Sequence, residues 1–171
     1  MMKVYTMQYI ETLHECMKAG IRKVFEEKYY ERKIDENSMV DMMFYTEFVS
    51  IMYITSIQEF FRVLHGYLQD DHPFIKKYSY NISVISSKCS ELLEDLNSYQ
   101  QKMMNDSNYD GVKERFNLIF DMHDYGAIIL DMVEDLGFYN RFPEANYCLQ
   151  CYLEYLRCME RMNIINETEV K

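Results

Sequence analysis

Apolar residues recur along the chain at the three- and four-residue spacing of α-helices, and this pattern predicts five helical segments and no strand. The predicted helices cover approximately residues 3–32, 39–68, 74–104, 111–136 and 143–163, and residues 164–171 are expected to fray as a C-terminal tail. Gly20 can bend or split the first helix. Ser38 is a suitable N-cap for the second, and Pro143 suits the first turn of the fifth.

The second segment, 39–68, is apolar on nearly every face, because nineteen of its thirty residues are apolar. Such a helix is usually buried among other helices, so we expect it at the centre of the molecule. Only five Gly and two Pro occur in 171 residues, which favours a few long helices. The sequence therefore predicts an all-α, single-domain helical bundle of about five helices that spans residues 1–171.

The third segment, 74–104, carries a heptad seam of apolar residues spaced alternately three and four apart. Its members are Ile75, Tyr78, Ile82, Ile85, Cys89, Leu92, Leu96, Tyr99 and Met103. The positions that flank the seam lack the complementary charge pairs of a specific coiled coil. This favours a long helix inside the bundle, with a homodimer through residues 75–103 as the alternative.

The net charge of −10 limits the classes of partner. An acidic surface repels nucleic acid and anionic membranes on average, so a protein with a basic surface is the expected partner. The N-terminal stretch M-M-K-V-Y-T-M-Q-Y-I-E lacks the pattern of a signal peptide, since Gln8 and Glu11 interrupt it. With an odd count of five cysteines, this predicts reduced thiols and a cytoplasmic location. Abundant Met and Tyr are typical of AT-rich genomes, such as those of viruses, phages or Gram-positive bacteria.

Two short motifs have the spacing of metal or redox sites. Glu11 and His14 match one half of a carboxylate-bridged di-metal site, which requires a second Glu-x-x-His and two further Glu residues. No other His has a Glu three residues before it. Cys148 and Cys151 form a Cys-x-x-Cys inside a predicted helix, whereas a structural zinc site uses four ligands. The sequence favours a polar patch for the first motif and buried thiols for the second.

Other catalytic templates are missing from the sequence. It has no Gly-rich phosphate loop, no Gly-x-Ser-x-Gly and no histidine paired with a nucleophile. We therefore expect a protein that is not an enzyme, with no cofactor, no metal and no catalytic residue.

The fourth segment is acidic in a helical pattern. At 100° per residue, six of its carboxylates fall on one stripe about 100° wide. The stripe consists of Asp110, Glu114, Asp121, Asp124, Asp131 and Asp135, and Ile128 interrupts it. One interpretation is a solvated face. The other is a docking ridge for a basic partner with Ile128 as an apolar anchor, since acidic ridges raise association rates and select partners.

The loop after this segment, G-F-Y-N-R-F, is a second predicted contact. We expect it to expose the aromatic residues Phe138 and Tyr139 together with Arg141, and Tyr and Arg are frequent at interface hot spots.

The stretch H-D-Y-G-A-I-I-L-D-M, residues 123–132, resembles the Asn-Trp-Gly-Arg-Ile motif of Bcl-2-like proteins. More distantly, Tyr125 to Met162 looks like the C-terminal part of poxviral Bcl-2-like immune inhibitors. Tyr125 replaces the Trp of that motif, and Ala127 replaces the Arg that grips a peptide ligand. The resemblance implies a helix-binding groove or an adaptor surface that blocks a host signalling protein.

Three functions follow, in order of preference. The first is a non-enzymatic protein-binding module (an inhibitor, an immunity or anti-defence protein, or an adaptor) that docks a basic partner through the 110–135 ridge. The second is a viral Bcl-2-like inhibitor of host apoptotic or innate-immune signalling. The third is a metal-dependent helical-bundle enzyme that uses Glu11 and His14.

Overall fold

The computed structural model is an all-α bundle, and it describes residues 2–105, 126–136 and 142–170. In chain order its elements are α1 (Met2–Ala19), α2 (Ile21–Val24), a π-helical turn (Phe25–Tyr30), α3 (Met39–Tyr67), α4 (Pro73–Asn105), α5 (Gly126–Leu136) and α6 (Pro143–Val170). No strand occurs within the described ranges. The predicted all-α helical bundle is confirmed, while the first part of the predicted fourth helix lies outside the described residues.

Helix α3 occupies the centre of the bundle, as its apolar sequence predicted. It packs against α1, α4 and α6. Six consecutive residues, 52–57, are buried, which covers every side of the helix for more than one turn. The Ser38 hydroxyl caps the helix by accepting from the Asp41 N–H at 3.3 Å. Four buried Ser and Thr hydroxyls inside α3 donate to carbonyls three or four residues earlier in the same helix. These are Thr46, Ser50, Thr55 and Ser56.

The first predicted helix is broken at Gly20. Its φ of +102° is a conformation that residues with a Cβ rarely adopt, and it ends α1. The Gly20 N–H donates to the Cys16 carbonyl at 2.8 Å, and the chain continues as α2 and then as the π-helical turn. The predicted split at Gly20 is confirmed, and the single helix predicted over 3–32 is replaced by three shorter elements.

The segment after the π-helical turn is held to α3 by one buried carboxylate. Glu31 turns the chain with a φ of +58°. Asp41, only 2% exposed, then accepts hydrogen bonds from the Tyr30 hydroxyl, from both terminal nitrogens of Arg32 and from the Asp35 N–H. The connection between the turn and α3 therefore has a fixed geometry.

Helix α4 turns its apolar seam toward the other helices of the bundle. The first six seam residues are buried, and α4 packs against α3 and α5. They are Ile75, Tyr78, Ile82, Ile85, Cys89 and Leu92. The other three seam side chains lie outside the described part. A homodimer through this seam would require the six buried side chains to leave the core.

Helix α6 runs to Val170, past the predicted end near residue 163. Ile165 is buried because it lies on the same side of the helix as Met162, one turn earlier. That side faces the start of α3, where the Thr46 hydroxyl is 3.1 Å from the Met162 sulfur. Arg161 also donates to the Glu36 carbonyl at 2.8 Å. Ile165 belongs to the segment 164–171, which the local sequence predicts to fray. Met162 and Arg161, which make the other tertiary contacts, lie just before that segment.

Candidate functional site

The predicted acidic ridge is described only over its last part, on α5. That helix carries three of the predicted residues, Ile128, Asp131 and Asp135. The other predicted contacts lie outside the described residues, and their roles stay predictions. They are Asp110, Glu114, Asp121 and Asp124 of the ridge, and Phe138, Tyr139 and Arg141 of the loop.

Helix α5 has a clear inner and outer side. Its inner side is buried through Ile129, Met132, Val133 and Leu136, and the helix packs against α6 and α4. Its outer side is exposed. Five of its residues are exposed, and we call four of them, Ala127, Leu130, Asp131 and Glu134, the α5 outer face; the fifth is Asp135.

The apolar residue on the α5 outer face differs from the predicted one. Leu130, which is not among the predicted contacts, has a side chain that is 39% exposed between acidic neighbours. Ile128, the predicted anchor, is only partly exposed and packs against the core. The reason is the position of α4 and α6, which cover the side of α5 on which Ile128 lies. An apolar anchor on this helix is therefore better supplied by Leu130.

Asp135 is engaged within the chain. Its Oδ2 accepts from the Lys77 ammonium group at 2.5 Å and from the Tyr78 hydroxyl, so it ties α5 to α4. The hydrogen bond from Lys77, followed by that from Tyr78, lowers the pKa of Asp135 below its usual value. Both described ridge carboxylates, Asp131 and Asp135, are exposed, and Asp135 is the one bound to α4. Glu134, outside the predicted stripe, lies beside Asp131 and is exposed too.

Gly126 lets the start of α5 approach α6 closely. A Cβ at this position would overlap the ring of Tyr152. That ring is partly buried and has little room to move, because it lies against Tyr53 at 5.5 Å and Tyr155 at 6.5 Å between ring centroids. The glycine therefore sets how deeply α5 seats on the bundle.

Replacing Gly126 by alanine is expected to destabilise the protein by about 1–2 kcal/mol, because overpacking exceeds the gain in helix propensity. In a Tyr152→Ala background the same replacement should be neutral or stabilising. Urea denaturation of the four proteins of this double-mutant cycle measures the coupling between the two positions.

Gly66 provides a matched control for this prediction. It lies in α3, and a Cβ there would meet nothing within 4 Å. Gly66→Ala should therefore stabilise the protein by up to about 1 kcal/mol through helix propensity alone. Equal effects of the two Gly→Ala replacements would show that the Tyr152 ring does not restrict α5.

The Glu11–His14 pair lies on the solvent side of α1, and both side chains are exposed. Among the described residues, no three His, Cys, Asp or Glu side chains come together as a metal site requires. One residue further on, Glu15 pairs with Lys28 at 2.6 Å. This acidic edge of α1 thereby fastens the π-helical turn to α1.

The five cysteines are free and buried, as the sequence suggested. Burial raises the pKa of Cys148 to about 12, against a smaller opposite effect of the hydrogen bond with Ser56. Burial likewise raises the pKa of Cys151 well above its usual value. Thiols of this kind stay protonated near neutral pH and are poor nucleophiles, so Cys-x-x-Cys here contributes packing.

The structure also shows a charged cleft that the sequence patterns did not predict. It encloses about 720 Å³ around the π-helical turn. Four cationic and three acidic side chains line it, namely Arg22, Lys23, Arg32, Lys33, Glu26, Glu27 and Glu31. Glu26 is buried and accepts from the Ile34 N–H at 2.6 Å, so its carboxylate belongs to the floor of the cleft.

An exposed aromatic patch adjoins the cleft. Tyr29, Val40 and Phe44 are exposed, and the ring of the partly buried Tyr30 lies 6.1 Å from that of Phe44. The Arg32 guanidinium, which lines the cleft, stacks on Tyr30 at 4.2 Å from its centroid. We call the cleft and this patch together the basic–aromatic surface. A signal for it was present in the sequence, because six of the eighteen basic residues lie between positions 18 and 33.

These observations define the class of the protein as an all-α bundle built around a central buried helix. Comparisons of the chain with protein-family models, with curated proteins and with solved structures found no match in any of the three. Among the described helices, none has the length together with the apolar character needed to cross a bilayer.

Proposed function

We propose that the chain is a non-enzymatic protein-binding module that docks a basic surface of a partner protein through the 110–135 ridge. Such a module acts as an inhibitor, an immunity or anti-defence protein, or an adaptor. The observation that carries the proposal is the α5 outer face. Leu130 is exposed there beside Asp131 and Glu134, on a helix that has no Lys or Arg.

The arrangement has two features of a protein interface. Single exposed leucines also occur on solvated faces, but an apolar residue inside a polar rim is the arrangement that an interface uses. The carboxylates beside it raise the association rate with a basic surface and disfavour acidic partners. Asp135 is neutralised by Lys77, and the tie to α4 helps to hold the helix in place for docking.

The compartment is part of the same proposal. Five free cysteines, all buried with none paired, are what a reducing environment such as the cytoplasm maintains. We therefore propose a cytoplasmic protein partner.

Affinity capture with the tagged protein from a relevant lysate tests the proposal, with Asp131→Lys/Glu134→Lys as the variant. The wild type should retain a stoichiometric partner at low salt and lose it at about 0.5 M salt, since screening shortens the range of surface charges. The variant should retain none at either salt concentration, and Leu130→Ala should weaken binding about tenfold, as expected for a central anchor.

Glu91→Lys/Glu94→Lys is the matched control. These two glutamates are exposed on α4 with the same three-residue spacing, so the control changes the net charge equally. It should bind like the wild type. If both double variants lose the partner to the same extent, net charge rather than the α5 outer face governs binding. If neither variant loses it, the face is only solvated.

A further inference from the structure

Three leucines on α5 and α6 reach solvent. Leu153 of α6 is 64% exposed, and Leu130 of α5 is 39% exposed. Leu149, one turn before Leu153, is partly exposed and packs against the core with the rest of its side chain. Single exposed leucines are common on protein surfaces, so these three indicate a site only if they lie together.

The contact between Gly126 and Tyr152 shows how the two helices are aligned. The start of α5 lies against α6 there. The end of α5 is followed closely in the chain by Pro143 at the start of α6, so the two helices run antiparallel. Leu130 lies one turn after Gly126. It is therefore level with Leu149, which lies about one turn before Tyr152.

The helical period places the three leucines on the same side of this pair of helices. On α5, Leu130 is rotated by about 40° from Gly126, the residue that faces α6. On α6, Leu149 is rotated toward solvent by about 60° from Tyr152, and Leu153 by about 40° more. Leu130 and Leu149 therefore border the valley between α5 and α6, and Leu153 lies on its outer edge. We call these three residues the leucine strip.

The surface around the leucine strip keeps a negative charge after the ion pairs within the chain are subtracted. Helix α5 and the first half of α6 have no Lys or Arg. Two of their carboxylates are neutralised by basic residues from elsewhere, namely Asp135 by Lys77 and Glu154 by Arg157. Asp131 and Glu134 are exposed and form no ion pair with any described residue. These two carboxylates are available to the cations of a partner.

An apolar strip with carboxylates on one side fits an amphipathic basic helix. A third helix packs well in a valley between two antiparallel helices, because side-chain ridges of one helix fit the grooves of its neighbours. Its apolar face would cover the leucine strip. Lys or Arg on its α5 side would pair with Asp131 and Glu134, while its α6 side would meet the uncharged, exposed Asn146 and Gln150.

We infer that the partner docks on this site through a basic amphipathic helix. The apolar face of that helix lies on the leucine strip, and its basic flank lies on the α5 outer face. This site rests on the proposed function, to which it adds the contribution of α6 and the form of the partner segment.

Charge disfavours a second copy of this chain as the occupant. A two-fold contact across the leucine strip would bring Asp131 and Glu134 of both copies to the same interface. Like charges that face each other across an interface oppose association, whereas a basic helix relieves the repulsion between these carboxylates.

Selection of random peptides of about eighteen residues on the immobilised full chain tests the inference. The enriched peptides should carry two or more Lys or Arg and apolar residues at helical spacing, and circular dichroism should show a gain of helix on binding. For the most enriched peptide, fluorescence anisotropy should show binding at least about tenfold weaker to Leu153→Gln and to Asp131→Lys/Glu134→Lys.

The matched controls lie on α4. Tyr80→Gln replaces an apolar side chain that is 77% exposed, and Glu91→Lys/Glu94→Lys changes the net charge by the same amount as the α5 variant. Both should bind the peptide within about threefold of the wild type. Thermal melts should show that Leu153→Gln is as stable as the wild type, because the side chain is largely in solvent.

The outcomes separate this inference from the proposed function. If the α5 charge variant loses the peptide and Leu153→Gln keeps it, docking on α5 stands and the leucine strip is not part of the site. If both variants keep it, or the enriched peptides are not basic, both proposals are contradicted. A selection that enriches no peptide overturns the inference alone. So does sedimentation that shows a dimer of the chain which Leu153→Gln dissociates, because a second copy would then occupy the strip.

Discussion

Replacing Phe60 by alanine is expected to lower the free energy of unfolding by about 3–5 kcal/mol. Phe60 lies in the central helix α3 with 0% of its side chain exposed, and its ring packs 5.7 Å from that of Phe61. The replacement removes a fully buried aromatic side chain and leaves a cavity that neighbours on three sides of α3 cannot fill without moving. Urea denaturation followed by circular dichroism measures the change.

Tyr80→Ala is the control for this prediction. Tyr80 is an exposed aromatic residue on the solvent side of α4, so its removal should change the free energy of unfolding by less than about 0.5 kcal/mol. A loss below about 1 kcal/mol for Phe60→Ala would contradict the central position of α3. A large loss for Tyr80→Ala would show that this residue is covered in solution.

The position of α3 could be predicted because its sequence leaves no alternative. A helix with apolar residues on every side must be covered on every side, and the physical requirement fixes its place without any knowledge of the neighbours. The seam of α4 could be predicted for a related reason. One apolar stripe with the period of a helix must face a partner element.

The break near residue 20 and the end of α6 show what local patterns do and do not determine. Gly20 signalled a break through its conformational freedom, but the π-helical turn that follows has no comparable signature in F-E-E-K-Y-Y. The polar segment after residue 163 predicted fraying. In the structure Ile165 is buried toward the start of α3, a contact between residues distant in the chain.

The sequence indicated exposed carboxylates on α5 but not which apolar residue of that helix is exposed beside them. The spacing of 100° per residue placed Asp131 and Asp135 on one stripe, and both are exposed, but the spacing could not say which side of the helix α4 and α6 would cover. That choice exposes Leu130 and partly covers Ile128. The basic–aromatic surface was missed because its members, from Arg22 to Phe44, come together only when the 31–38 segment folds back on α3.

The packing of the 31–38 segment against α3 depends on Asp41, and this makes the stability of the protein sensitive to acid. The hydrogen bonds from Arg32, helped by those from Tyr30 and the Asp35 N–H, lower the pKa of Asp41 from 3.8 to about 2 against the opposing effect of burial. A carboxyl whose pKa is lowered on folding contributes stability above its unfolded pKa. That contribution is lost as the pH falls through the folded pKa.

We therefore expect the Asp41 contribution to be complete above about pH 4 and to disappear between about pH 4 and pH 2. Its size should be about 1–2 kcal/mol, below what the full shift implies, because Arg32 is more than half exposed and solvent screens the pair. Asp41→Asn should lower the free energy of unfolding by a similar amount at pH 7. It should also flatten the pH dependence of Tm in this window.

Asp131→Asn is the control, because it removes one negative charge from an exposed position without a role in the fold-back. It should leave the pH dependence of Tm below pH 4 as in the wild type. If Asp41→Asn keeps the wild-type acid dependence, other carboxylates cause it, and the 31–38 segment is not fastened by Asp41. If the dependence flattens only in Asp41→Asn, one buried carboxylate fixes the segment that positions Arg32 and the rest of the basic–aromatic surface.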